Sequence, residues 1–316
     1  MTLYDSLRTV ANASGEDAVD WDAAASAAKG VTEPGSVELD AEERAGYASD
    51  VVAAREGIRD ATGLSFDLPA TLEVQSRHHW IDANVATFRE LLAPVAGATG
   101  PLPNVARRVN TATMAGLLAF AARHVLGQFD PLLLAPGEAP GLYFVRPNVV
   151  ETAELLDVPY PRFRRWIAFH EVVHAAEFGA APWLAGELEA RIEGALEALV
   201  AGHVDREAVE SLDAAMTAVE GYAEFAMDQA FGGEYADVRA TVEARRRARS
   251  PVDVVLSRLL GLESKRRQYE RGRAFFEALS RDGGTDAPAR VWSRVEHLPT
   301  QVELDRPDRW LARLDR

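Results

Sequence analysis

Apolar residues recur at three- and four-residue steps along most of this chain, the spacing of helices that each bury one stripe. The pattern predicts helices over Leu3–Ala11, Trp21–Lys29 and Ala41–Thr62, with Pro34-Gly35 separating the second from the third and Gly63 ending the third. After Pro69, the run Ala70-Thr-Leu-Glu-Val-Gln75 alternates as a short strand does. Helices are expected over Ile81–Leu92 and Val105–Gln128, with a Gly/Pro-rich connection from Pro94 to Pro103 between them. Leu132–Leu134 and Gly141–Val145 read as short strands around Pro136-Gly137. Pro159 and Pro161 suit the start of the next helix, because a first-turn proline lacks only an N–H that had no acceptor. Helical spacing then continues to about Gly179, from Trp183 to Val200, from Asp205 to Phe231, and from Val252 to Leu279 with a possible bend at Gly261. Two short helical pieces around Pro299 and Pro307 close the chain.

Within the helix that follows Pro161, the residues Phe163, Trp166, Ile167, His170 and His174 share one stripe. His170-Glu171-Val-Val-His174 reads H-E-x-x-H, which sets two imidazoles one turn apart on one face, where both can reach a single zinc ion. Glu171 is placed to take a proton from a water activated by the metal. His78-His79 offers no comparable pair, since neighbouring helical residues diverge by about 100°. His124 reads as a capping or core histidine. In zinc hydrolases a strand upstream of the metal helix commonly forms an edge for an extended substrate, and Leu142–Val145 is the expected counterpart by analogy.

Composition narrows the chemistry. The chain has 316 residues and no cysteine, so disulfides, thiolate zinc sites and thiol nucleophiles are excluded, and any metal must use His and carboxylates. A net charge of −15 disfavours nucleic acid and anionic membrane surfaces as partners. With no long apolar run and no basic, apolar leader in the N-terminal residues, the expectation is a soluble cytoplasmic protein. The one basic cluster, Arg245–Arg249, reads as a solvated helix end.

A catalytic zinc site needs a third protein donor and an open position. Glu220, Glu224 and Asp228 follow four-residue steps on one face of the 205–231 helix. Such a row also describes a solvated face, but its neighbours Val219, Tyr222, Phe225 and Met227 are too apolar for that. Glu220 is the first candidate, with Gly221 beside it expected to let this helix approach the one carrying the histidines. Glu224 would then accept a hydrogen bond from the far nitrogen of a ligating histidine; with the register shifted by a turn, Glu224 becomes the metal ligand and Asp228 takes that role. Tyr269 is a possible stabiliser of an oxyanion, with simple packing as the alternative.

The segments HEVVHAAEF with PWL, EGYAEFAMD, and RRRARSPVDVVLSRLLGLESKRRQYERGRAFF resemble the zincin-like metallopeptidase type 2 family, and the similarity extends from Val19 to the closing VWSRVEHLPTQVELDRPDRWLARL. Glu220-Gly-Tyr-Ala is similar to the E-G-x-A element in which gluzincin peptidases carry their glutamate ligand, which ranks Glu220 above Glu224. The resemblance implies a mainly α (α+β) zincin-like helical domain with a small sheet next to the metal-binding helix. It would run over 1–316 as an N-terminal helical part (1–63), a small sheet and helices (64–150), metal-binding helices (151–235) and a C-terminal helical part (236–316). It also implies Zn2+ held by His170, His174 and Glu220, and hydrolysis of a peptide or small amide. Hydrolysis of a small non-peptide amide or ester, and a non-catalytic protein with a structural zinc, remain as alternatives.

Overall fold

The computed structural model describes residues 3–14, 17–96, 103–131, 139–201, 203–247 and 262–315. The fold is mainly helical with one small sheet among these residues. In chain order the elements are α1 (Leu3–Ala11), α2 (Trp21–Gly30), α3 (Ala41–Thr62), β1 (Thr71–Gln75), α4 (Arg77–Ala96), α5 (Pro103–His124), β2 (Gly127–Asp130) and β3 (Gly141–Val145). They continue with α6 (Arg146–Leu155), α7 (Tyr160–Ala180), α8 (Leu184–Val200), α9 (Arg206–Phe231), α10 (Ala236–Arg247), α11 (Leu262–Gly283), α12 (Gln301–Asp305) and α13 (Pro307–Leu314). Two short 3-10 turns, Pro288–Ser293 and Val295–His297, precede α12. No described helix is long and apolar enough to cross a membrane.

The chain divides into two compact units, the first made of residues 1–39, 71–152 and 193–205. Its core joins Trp21, Ala24 and Ala28 of α2 to Trp80 and Ile81 of α4 and to Met114, Leu118 and Ala122 of α5. Asp20 caps α2 by accepting the Ala23 amide at 2.9 Å. The sheet has the order β1-β3-β2, with β1 parallel and β2 antiparallel to β3. Both edges of β3 are therefore occupied, and Leu142, Phe144 and Val145 are fully buried. This overturns the expected role of Leu142–Val145 as a free substrate edge, because a central strand has no unpaired backbone groups to offer.

Two other local expectations change. The residues read as the end of a helix, Gly127-Gln128, instead open β2, whose four half-buried residues carry no alternation and are held by pairing with β3. α4 runs through Pro94 to Ala96 and Pro103 already opens α5. The expected strand Leu132–Leu134 lies outside the described residues, as do Ala248-Arg249 at the end of the basic cluster and residues 250–261. His78 bonds the Thr32 carbonyl at 2.6 Å while His79 faces Glu73 at 3.3 Å, so the two rings diverge as expected. His124 bonds the Phe120 carbonyl one turn back at 2.7 Å.

The second unit comprises residues 40–70, 153–192 and 206–316. Here α3 lies along α7, with buried Tyr47, Val51, Ala54 and Ile58 spaced to form one stripe. Gly63 ends α3 in the left-handed region, at φ 71°, where a side chain would be strained. A polar tie runs between the helices: buried Arg164 donates from Nε to Asp50 Oδ2 at 2.8 Å, and the Tyr160 hydroxyl donates to Glu43 at 2.5 Å. Behind α9, Tyr222, Phe225, Phe275, Phe276, Trp292 and Trp310 form a continuous set of ring contacts with α11 and the C-terminal turns.

The C-terminal helices are locked by Glu303, which accepts Arg313 Nε at 2.6 Å and the Thr300 amide at 2.9 Å in a capping box. Burial pushes its carboxyl up, but the Arg313 and Thr300 hydrogen bonds and the Arg313 charge outweigh burial and leave the pKa lowered. A carboxylate with a depressed folded-state pKa stabilises the fold above its unfolded pKa, and loses that contribution as the pH falls through the folded value. Glu303→Gln is accordingly expected to melt below the parent at pH 7. The gap should close as the pH drops below about 4.3, as followed by circular dichroism; a gap independent of pH would refute the assignment.

Candidate metal centre

α7 starts beside Pro159 and carries Pro161 in its first turn, after which Phe163, Trp166 and Ile167 are buried. His170 and His174 continue that stripe one turn apart, each with 14% of its side chain exposed. The facing helix, α9, is buried almost without a break from Ala214 to Met227, and Glu220 emerges from that stretch at 5% exposure. A carboxylate there cannot be a solvated-face residue.

His170 Nε2 and His174 Nε2 lie 3.3 Å apart, and Glu220 Oε2 is 3.8 Å from the first and 4.0 Å from the second. All three donors fall within 4.8 Å of one another. Bonds of about 2.0–2.1 Å to one tetrahedral ion place donors about 3.3–3.4 Å apart, so the set fits zinc after small side-chain adjustments. Glu171 adjoins His170, is 6% exposed, and adds its charge to the field at His174.

The electrostatics fit a cation as well. Burial alone would lower the His174 pKa, but the hydrogen bond and charge of Glu177, with Glu220 and Glu171 behind it, push it up to about 9. Burial pushes the Glu177 carboxyl up to about 7, with the His174 hydrogen bond pulling against it. Both shifts share one origin: several carboxylates crowd a desolvated space with too little positive charge. A divalent cation supplies that charge and reverses the local pattern.

The other predicted residues fall into distinct places. Tyr269 of α11 sits beside His170, with ring centroids 6.3 Å apart and the planes tilted by 52°. Glu224 is buried at 5% exposure but is not part of the donor group. Asp228 is engaged by Arg239 and by Arg273, the latter at 3.3 Å. At His174 the far nitrogen meets an acid of α7 itself: Glu177 Oε2 lies 2.8 Å from Nδ1. Sequence reasoning passed over Glu177, although an acid three residues after His174 within Ala175-Ala176-Glu177-Phe178 was a visible signal.

Gly221 also has a different task from the one expected. A Cβ there would meet Gly272 Cα of α11 at 2.2 Å, so the missing side chain lets α9 close on α11 and not on α7. Helical geometry explains it: consecutive residues point about 100° apart, so with Glu220 aimed at the histidines its neighbour must face another helix.

No curated protein matches the chain. A crystal structure from Chloroflexus aurantiacus, described as "a putative hydrolase with a novel fold", is 31% identical and superposes with a TM-score of 0.78, covering 94% of this chain and 99% of that one. The sequence model of the zincin-like metallopeptidases matches residues 19–205 and 198–311, a span that includes all three donors. The chain therefore belongs to the zincin-like metallopeptidase family.

Proposed function

We propose that this protein is a zinc-dependent hydrolase of gluzincin type that cleaves a peptide or small amide bond. The observation that carries the reading is the convergence of His170, His174 and Glu220 with Glu171 next to the first donor. Glu171 beside the first donor favours a catalytic centre over an ion that merely ties helices together, since a structural site has no need of it.

When bound, zinc supplies Lewis acidity toward a carbonyl oxygen and lowers the pKa of water toward about 7. The chain's own residues do the rest. Glu220 and the two Nε2 atoms would hold the ion, and the Glu171 carboxylate would take a proton from water and return it to the leaving nitrogen. Tyr269, whose ring lies beside His170, would donate its hydroxyl to the oxygen on which negative charge develops.

Protein purified without added metal is expected to carry about one zinc per chain by elemental analysis, and His170→Ala to carry almost none. Cleavage of a mixed peptide pool, read by mass spectrometry, should stop on chelation and resume with zinc. A parent protein that neither retains nor takes up zinc would rule the reading out.

A further inference from the structure

We infer that Glu177 is the positioning residue of this centre, fixing the ring of His174 through the nitrogen that faces away from the donor cluster. The role rests on the zinc-hydrolase reading above and goes beyond it.

Three observations carry it. Glu177 Oε2 lies 2.8 Å from His174 Nδ1, while Nε2 of the same ring points to His170 Nε2 and Glu220 Oε2 at 3.3 and 4.0 Å. The two ends of the imidazole are thus divided between one acceptor and the donor cluster. Glu177 is 0% exposed, so water does not compete for the bond. Its other oxygen, Oε1, is buried with no hydrogen-bond partner among the described residues, which leaves His174 as the one group the carboxylate is seen to serve.

The chemistry follows from the tautomer. A carboxylate accepting the Nδ1 proton leaves the Nε2 lone pair directed at the cluster and makes it a stronger donor. Because Glu177 and His174 are three residues apart on one helix, the acceptor moves with the ring it orients and needs no second element to hold register. The corresponding position after His170 is Val173, so α7 offers that ring no acid at the same spacing. An apolar side chain would pack at position 177 without desolvating a carboxylate; burial of an acid there fits a task at the ring better than a task in the fold.

The test compares metal-stripped parent, Glu177→Gln and Glu177→Leu by competition for zinc with a chromophoric chelator. Circular dichroism melts of the metal-free proteins and the visible spectrum of the cobalt-loaded forms accompany it. Glu177→Gln keeps an oxygen acceptor but not the charge, and should bind zinc about 10-fold more weakly; Glu177→Leu should lose about 100-fold. The metal-free melting temperature of the Gln variant should match the parent, and the cobalt spectrum should shift. A folded Gln variant with parental zinc affinity and cobalt spectrum overturns the role, whether or not the Leu variant folds. A parent that binds no zinc overturns the hydrolase reading and this role with it, whereas a zinc-binding parent with unaffected variants overturns this role alone.

Discussion

Glu171→Gln is expected to retain its zinc and to lose turnover by about a hundred- to ten-thousand-fold, the usual worth of a general acid–base group. Glu171 is not one of the three converging donors, so its charge is not needed to hold the ion. Glutamine has nearly the same size and shape, which matters at a position only 6% exposed. What the amide cannot do is accept a proton from water and pass it to a leaving nitrogen. Metal content and rate should therefore separate at this position, whereas Glu220→Gln should lower both by removing the one anionic donor. Elemental analysis beside peptide cleavage reads the split. Near-parental turnover in Glu171→Gln would assign the proton transfer elsewhere, and loss of zinc would make Glu171 a ligand.

The second large effect is expected at the contact between α9 and α11. Gly221→Ala would set a Cβ 2.2 Å from Gly272 Cα and 2.3 Å from its carbonyl carbon, and Gly272→Ala would set one 2.2 Å from the Thr217 carbonyl oxygen. These obstacles are backbone atoms within two helices, so no rotamer change relieves them and the helices must separate. Overpacking a core costs about 1–3 kcal/mol where side chains can adjust, and a backbone clash should reach about 3 kcal/mol or more. The loss should extend to the centre. Glu220 adjoins Gly221 and Tyr269 lies one turn before Gly272, so parting these helices moves a donor and the neighbouring hydroxyl together. Urea unfolding should show the destabilisation and chelator competition a weakened zinc site in the same variant. Because both substitutions disturb one contact, the double variant should lose less than the sum of the two. A Gly221→Ala protein as stable as the parent would mean that the helices are not held this closely.

Much of the helical framework was legible because each helix buries one stripe and most end at a recognisable residue. α1 and α3 match their expected limits and α2 extends one residue further; α2 and α3 end at Gly30 and Gly63 and are capped by Asp20 and Asp40. The first two donors were equally plain, because four-residue spacing within one helix is a local property. β2 was hidden for the opposite reason: Gly127–Asp130 has no pattern of its own and is a strand only because β3 lies beside it.

What the order of residues determined by itself is the inventory: a helical chain without thiols, an H-E-x-x-H turn on a buried stripe, and a row of acids on a second apolar helix. Which acid meets the imidazoles was decided by how α9 is rotated against α7, and that rotation is set by the Gly221–Gly272 contact with a helix about fifty residues further along the chain. Asp228 is engaged by Arg239, and the Nδ1 of His174 meets Glu177 of its own helix. Spacing fixes geometry only within one rigid element. Between elements, the shapes of the side chains that must fit decide which faces meet.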